Sequence, residues 1–340
     1  MKQIPRLRAA LSRSVPVPDV APSPSLVALE QATTWLNSAP LTSDDLRGRV
    51  VLVDFCTYTC INWLRTLPYL RAWRDKYGAH GLLLVGIHTP EFDFEHNLDN
   101  VRRAVENIGV DHPLAIDNGY DIWSSFDNNY WPALYFIDSH GQIRHHQFGE
   151  GDYERSEATI QVLLSEAGAS GFSPDFVRVD PATGIEVSAD WNNLWSPENY
   201  LGSERSENFA SPNGALLGTG QTYAVPPELP LNSWALAGDW TVTPRTVVLN
   251  RAGGAIRYRF HARDLNLVMT PAAKPAPFQV RVDGQPPGPA HGADIDVEGN
   301  GVLNAPRLYQ LLRQQGPITD RTFEVTFRAA GAHAYAFTFG

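Results

Sequence analysis

The stretch from Val50 to Trp63, Val50-Val51-Leu52-Val53-Asp54-Phe55-Cys56-Thr57-Tyr58-Thr59-Cys60-Ile61-Asn62-Trp63, constrains the fold more than any other part of the chain. Residues 50–53 are an unbroken, mostly β-branched apolar run, the pattern of a strand covered on both faces. From Cys60 the spacing becomes helical, with Trp63, Leu67, Leu70 and Trp73 or Tyr77 on one side and Gly78 as the expected stop. Cys60 therefore falls at or near the first turn of a helix. Unpaired N–H groups and the positive end of the helix dipole stabilise a thiolate there, which is the location a reactive thiol needs.

The pattern around this stretch is that of an α/β domain over residues 26–168. A second buried strand is expected at 81–88, an amphipathic helix at 97–109, a short strand at 113–117 and a short helix at 120–126. Trp131-Pro132 opens a strand that runs to Asp138, and Ser139-His140-Gly141-Gln142 turns it into a hairpin with 143–148. A helix over 154–167 closes the domain. The hairpin makes the sheet mixed rather than wholly parallel. Residues 1–25, rich in Pro, Ser and Arg, read as a flexible leader, and the turn-rich 169–196 as a linker or strap. From 197 to 340 apolar residues alternate with polar ones, as in Ile256-Tyr258-Phe260, Phe278-Val280-Val282 and Phe323-Val325-Phe327. Period-two strands with Gly/Pro turns predict an all-β jelly roll or β-sandwich.

Composition removes several function classes. A formal net charge of −10 without a long basic run excludes nucleic acid as the expected partner. No apolar run approaches the ~20 residues that span a bilayer. The N-terminal segment is basic but lacks the continuous apolar core of a secretory signal, so the expected location is cytoplasmic. The chain has 2 cysteines, Cys56 and Cys60, which excludes a disulfide-stapled scaffold and a multi-cysteine zinc site. His88, Glu91, Glu95 and His96 cluster in sequence but fit no ligand spacing and read as a solvated loop. No metal or organic cofactor is expected.

Several strings carry a family resemblance. Val53-Asp54-Phe55 enters a turn before Cys60, Pro68 lies inside the following helix, and Trp131-Pro132 opens a later strand. In that order they resemble the thioredoxin-like redoxins, of the alkyl hydroperoxide reductase/thiol-specific antioxidant superfamily. The strings Thr57-Tyr58-Thr59-Cys60-Ile61-Asn62, His88-Thr89-Pro90-Glu91-Phe92, Tyr130-Trp131-Pro132-Ala133, Gly149-Glu150-Gly151-Asp152-Tyr153 and Gly238-Asp239-Trp240 are similar to the thioredoxin plus carbohydrate-binding-like part of the DipZ-type proteins. The resemblance implies that Cys60 is the nucleophile, that Pro132 is a cis-proline shaping the substrate groove and that Asp54 is a buried acid behind the site. It also implies an extracytoplasmic location as the alternative. The family pattern is Cys-x-x-Cys, but Trp63 stands at the resolving position.

Each candidate has a sharp and a bland reading. Cys60 is a low-pKa thiolate attacking a peroxide or disulfide, or a structural cysteine in a degenerate redoxin. Thr57 orients the sulfur, as in peroxidase-like Thr-x-x-Cys sites, or is a plain turn residue. Cys56 is a substitute second thiol, or a small buried hydrophobe where thioredoxins carry tryptophan. Asp54 relays a proton, or is a structural remnant. In the β region Trp191, Trp195, Trp234 and Trp240 are available to stack on sugars, and Arg257 and Arg259 to bond them. The expected function is single-cysteine thiol redox chemistry with an external thiol reductant, thioredoxin- or glutathione-like, and an appended binding domain with a carbohydrate ligand. The competing expectation is a non-catalytic scaffold whose β-sandwich recognises a glycan or protein.

Overall fold

In the computed structural model, which describes residues 24–179, 184–272 and 274–340, the chain divides into two compact units after Pro181. Nearly all of the expected 1–25 leader lies outside the described residues. The first unit runs α1 (Pro24–Val27), β1 (Thr34–Leu36), α2 (Ser43–Leu46), β2 (Val50–Cys56), α3 (Ile61–Tyr77), β3 (Leu82–His88), α4 (Leu98–Ile108), β4 (Leu114–Ile116), α5 (Asp121–Ser125), β5 (Ala133–Ile137), β6 (Ile143–Phe148) and α6 (Tyr153–Glu166). Its sheet has the order β1-β4-β3-β2-β5-β6. β2, β3 and β4 are parallel, while β1, β5 and β6 run antiparallel to their neighbours, so the sheet is mixed as the hairpin requires.

All seven residues of β2 are buried, which is why its sequence is apolar except for Asp54. Val51, Val53 and Phe55 enter one core with Val85, Ile87, Tyr135 and Ile137. Alternation sends Asp54 and Cys56 to the opposite face. α3 ends at Tyr77 with Gly78 as its C-cap, at the expected stop. Gly78 keeps a right-handed φ of −58°, and the chain continues through a 3-10 turn, Gly78–His80, to Gly81 at φ +105°. Gly81 is the residue whose left-handed backbone ends that 3-10 turn.

The 169–196 strap is divided between the units. Residues up to 179 lie on the first, where the Val177 N–H donates to Glu157 Oε2 at 2.8 Å and Gln161 Nε2 donates to the Pro174 carbonyl at 3.1 Å. The Phe172 ring meets Tyr77 edge-on at 5.6 Å.

The second unit is a strand-rich antiparallel sheet curled round its own core. Its strands are β7 (Asn199–Tyr200), β8 (Gly220–Tyr223), β9 (Trp234–Val242), β10 (Val247–Leu249), β11 (Ala255–Phe260), β12 (Asp264–Thr270), β13 (Ala276–Val282), β14 (Asn300–Leu303), β15 (Arg307–Arg313), β16 (Arg321–Phe327) and β17 (His333–Phe339). The order is β14-β13-β16-β11-β9-β10-β17-β12-β15, with β7 on β17 and β8 on β9. The alternating Phe278, Val280, Phe323, Val325 and Phe327 point into this core, as their period-two spacing implies. Gly238 has φ +92°, and a Cβ there would sit 2.9 Å from the Gly254 Cα, so the strand needs glycine at that point.

Candidate active site

Cys60 is the N-cap residue of α3, with extended backbone at φ −75°, ψ 113°. Its N–H donates to the Thr57 carbonyl at 3.2 Å and its carbonyl accepts from Leu64 at 3.0 Å, so residues 57–60 turn directly into the helix. The residue is half-buried, and its sulfur faces the Trp131 carbonyl oxygen at 3.8 Å. The Trp131–Pro132 peptide is cis. The Trp131 indole packs tilted against Trp123, ring centroids 4.3 Å apart, and donates to the Thr89 carbonyl at 3.1 Å. Cys60, Thr57 and Pro132 are thus brought to one place, at the C-terminal end of β2 and the start of β5.

Trp63 and Asp54 meet behind Cys60. Trp63 is 2% exposed, and its Nε1–H donates to Asp54 Oδ2 at 2.8 Å. The other oxygen, Oδ1, is buried without a hydrogen-bond partner among the described residues. Burial pushes the Asp54 carboxyl up to about 7, against the opposing effect of the Trp63 bond. The indole therefore fills the place of a resolving thiol and also plugs the acid.

Cys56 is fully buried, its thiol 3.4 Å from the Ile87 carbonyl. Burial first, then the nearby Asp54 charge, push this thiol well above its ordinary range. Neither cysteine is in a disulfide. Of the two cysteines, Cys60 is the one that is not fully buried.

Sequence reasoning missed Glu95. It is completely buried, not part of a solvated loop. Its Oε1 accepts from the Thr59 hydroxyl at 2.6 Å, and its Oε2 accepts from the Glu91 and Phe92 N–H groups at 2.7 and 2.9 Å. Burial pushes this carboxyl up to about 7 as well, opposed by hydrogen bonding from the Thr57 and Thr59 side chains. Thr57 faces Glu95, although its hydroxyl makes no bond of standard geometry among the described residues. His88, register partner of Cys56, stacks on Tyr58 at 5.8 Å. Burial holds its imidazole neutral, down to about 3. The sequence offers little signal for Glu95, which lies between Phe94 and His96 in the mixed stretch Glu91-Phe92-Asp93-Phe94-Glu95-His96.

The arginine that a peroxidase-like site would set over the sulfur is not supplied by α3. Its buried Arg65 pairs with Glu150 at 3.1 Å. Among the described residues no group of three or more His, Cys, Asp or Glu side chains is arranged to hold a metal ion, and no helix is long and apolar enough to cross a membrane.

In the β unit, Trp234 and Trp240 are corrected to core residues, 1% and 0% exposed, and offer no face to a sugar. Their indole N–H groups bond the Glu207 and Ala237 carbonyls. Arg257 is paired with Glu324 across β11 and β16, and Arg259 with Asp320 at 3.1 Å. The exposed tryptophans are Trp191 and Trp195, the latter stacked at 3.9 Å on His261.

Comparison with known proteins agrees with this architecture. Residues 196–340 match a family described as a thioredoxin-like C-terminal domain. DipZ of Mycobacterium bovis is 32% identical over 315 residues, 92% of this chain and 42% of DipZ, and DipZ of Mycobacterium tuberculosis gives the same values. The chain is a homologue of DipZ with a thioredoxin-like domain. It spans less than half the length of those DipZ relatives. The thiol-disulfide oxidoreductase YkuV of Bacillus subtilis is 28% identical over 133 residues, 39% of this chain and 88% of YkuV. A thioredoxin-type solution structure from Neisseria meningitidis, 19% identical, aligns over 39% of this chain and 87% of its own with a TM-score of 0.36.

Proposed function

We propose that this chain performs thiol–disulfide exchange through one sulfur, that of Cys60. The observation that carries the reading is Trp63. It occupies the position three after Cys60, is buried and is bonded to Asp54, so one cysteine that is not fully buried stands at the start of α3. Similarity to the thiol-disulfide oxidoreductases YkuV and ResA of Bacillus thuringiensis, the latter 25% identical over 130 residues, supports the same reaction class.

In the first step the Cys60 thiolate attacks one sulfur of a substrate disulfide. A Cys60–S–S–substrate bond forms and the other substrate sulfur leaves as a thiolate. An external thiolate, thioredoxin- or glutathione-like, then attacks the substrate sulfur and releases Cys60. A peroxide is the second substrate class. It would convert the thiolate to a sulfenic acid with loss of the alcohol or water, and two external thiols would reduce it. Thr57 lies beneath the turn that delivers the sulfur, and Pro132 borders it.

The test is turnover of a model disulfide and of a hydroperoxide with glutathione or thioredoxin as donor, in the wild type and in Cys60→Ser. Activity that vanishes in the variant supports the reading. Activity that survives it, or a Cys60 that alkylates no faster than a free thiol in a protein with no turnover, overturns it.

A second reading concerns the β unit and rests on Trp195. This side chain is 60% exposed, with one ring face held parallel to His261, whose Nδ1 lies 2.8 Å from Asp320. An oriented aromatic face beside a carboxylate and the Arg259 guanidinium suits a sugar ring. Glycan binding lost in Trp195→Ala would support it.

A further inference from the structure

The proposed exchange reaction uses Cys60, but the geometry also involves a second buried acid, on a different loop from Asp54. Glu95 lies in the 3-10 turn Asp93–His96, after β3, and is completely enclosed. Its two oxygens are used in different directions. One holds the loop's own N–H groups at Glu91 and Phe92, and the other holds the Thr59 hydroxyl across a gap of 36 residues in sequence. Thr59 immediately precedes Cys60 and is itself 1% exposed. No basic side chain among the described residues is bonded to Glu95, and an enclosed carboxylate without a counter-charge is costly. The groups around it are Glu91 on its own loop, the Thr57 and Thr59 side chains of the turn that leads into Cys60, and Cys56 on β2; His88, on β3, faces His96. The Cys56 sulfur lies within electrostatic reach of Asp54, Cys60 and Glu95 together.

We propose that Glu95 is a positioning residue for Cys60: its carboxyl group clamps the turn at 57–59 through the Thr59 hydroxyl and, by gaining or losing one proton, sets how readily the neighbouring sulfur ionises. This rests on Cys60 being the reacting sulfur and deepens that reading. When Glu95 carries a proton, the turn is held by a neutral group and the thiolate forms without opposition. When Glu95 is charged, the turn is still held but a like charge stands behind the sulfur, and ionisation of Cys60 is disfavoured. The two groups then titrate as a pair, and the reactivity of Cys60 rises over a broader pH range than one thiol would give. The acid's tendency to stay protonated near pH 7 puts the handover in the range where thiol exchange operates.

The experiment is the pH profile of Cys60 alkylation by iodoacetamide from pH 5 to 10, in the full chain, with the modified residue identified by mass spectrometry. It needs no substrate or reductant, so it is independent of whether the chain turns anything over. The wild type is expected to give a broad or two-step profile with an inflection near 7. Glu95→Gln keeps an oxygen acceptor for Thr59 and for the loop N–H groups but carries no charge. It should give a single step displaced downward by about half to one pH unit, with alkylation at pH 7.5 about three- to tenfold faster. Thr59→Val removes the hydroxyl that stabilises the charged carboxylate, so the inflection should move upward. A Glu95→Gln profile that superimposes on the wild type overturns the proposal and reduces Glu95 to a loop staple. So does a Thr59→Val inflection that stays in place or moves down. Failure of turnover with these shifts intact would instead count against the exchange reaction alone.

Discussion

The indole N–H of Trp63 donates to Oδ2 of Asp54 at 2.8 Å inside the core of the first unit. In the Cys-x-x-Cys pattern that this chain resembles, the corresponding acid faces a resolving thiol. Here it faces a hydrogen-bond donor that carries no removable proton at working pH. The acid is enclosed and kept from solvent, and the position three after Cys60 holds an indole in place of a second thiol.

Trp63→Phe separates the bulk of this side chain from its bond. The ring still fills most of the space, but Asp54 Oδ2 loses its donor while Oδ1 already lacks one among the described residues. The expected cost is about 1–3 kcal/mol, read as a lower urea midpoint at unchanged m-value. The Asp54 titration, followed by its carboxyl carbon in NMR, should move further up from about 7, because the one opposing bond is gone. An unchanged midpoint and titration would show that the bond has no energetic role.

Stability should depend on pH through the two enclosed acids. Asp54 and Glu95 hold their protons to about 7 in the fold, whereas in the unfolded chain they release them near 4. The folded form therefore binds more protons between about pH 4 and 7. The stabilisation is present below the unfolded value and is lost as the pH rises through the folded one. His88 acts in the opposite sense. Its folded value is near 3, so its contribution is present above about 6.5 and is lost as the pH falls. Asp54→Asn keeps an acceptor for Trp63 but cannot ionise. Its gain over the wild type should be small at pH 4.5 and reach up to about 4 kcal/mol at pH 8, measured by urea unfolding at both values. A difference that does not grow with pH would mean that Asp54 is ionised in the fold.

Much of this was legible in the sequence. β2 announced itself because a strand covered on both faces needs apolar residues throughout, and Cys60 followed from the switch from strand to helical spacing. The Trp63–Asp54 bond was not legible. Both residues were placed, but nothing in a nine-residue separation says that the indole turns back onto the strand. Glu95 was misread because an acid in a loop is ordinarily solvated, and only the enclosing aromatic side chains make it otherwise. In the β unit the alternation gave the period but not its phase for Trp234 and Trp240. Both fell on the core side, while Trp195, outside the strands, kept its face in water.

Thiol counting distinguishes the two sulfurs. The native protein should show one rapidly reacting thiol, Cys60, with Cys56 appearing only on unfolding, since its sulfur is enclosed. Trp63→Cys should add a second reactive thiol one helical turn on. With oxidised glutathione, Cys60 first forms a mixed disulfide. The introduced thiolate then displaces glutathione as a thiolate and closes an intramolecular disulfide, so the native count falls from two to zero. Loss of the indole should cost about 3–5 kcal/mol. A variant that accumulates only the glutathione adduct would show that the first turn of α3 cannot close the ring.

Glu157 makes a separate prediction about the strap. This buried carboxylate of α6 accepts from Tyr77 Oη at 2.6 Å, Lys76 Nζ at 2.9 Å, Trp73 Nε1 at 3.1 Å and the Val177 N–H at 2.8 Å. Three donors come from the last turns of α3 and the fourth from the strap, so one side chain ties 169–179 to the helix that begins at Cys60. Glu157→Ala orphans all four donors and leaves the Lys76 ammonium without its partner, which is expected to cost about 3–5 kcal/mol. Glu157→Gln keeps acceptor and donor capacity and should cost less. Because the strap is held by few buried apolar contacts, its amides should lose protection before those of β2 or α3. Hydrogen exchange at Val177 should therefore approach the rate of an exposed amide in Glu157→Ala, while the amides of β2 stay protected and speed up only as far as the global loss of stability allows. If exchange at Val177 matched the wild type, the strap would be held by the Phe172–Tyr77 contact and the Gln161–Pro174 bond, and Glu157 would serve α3 alone.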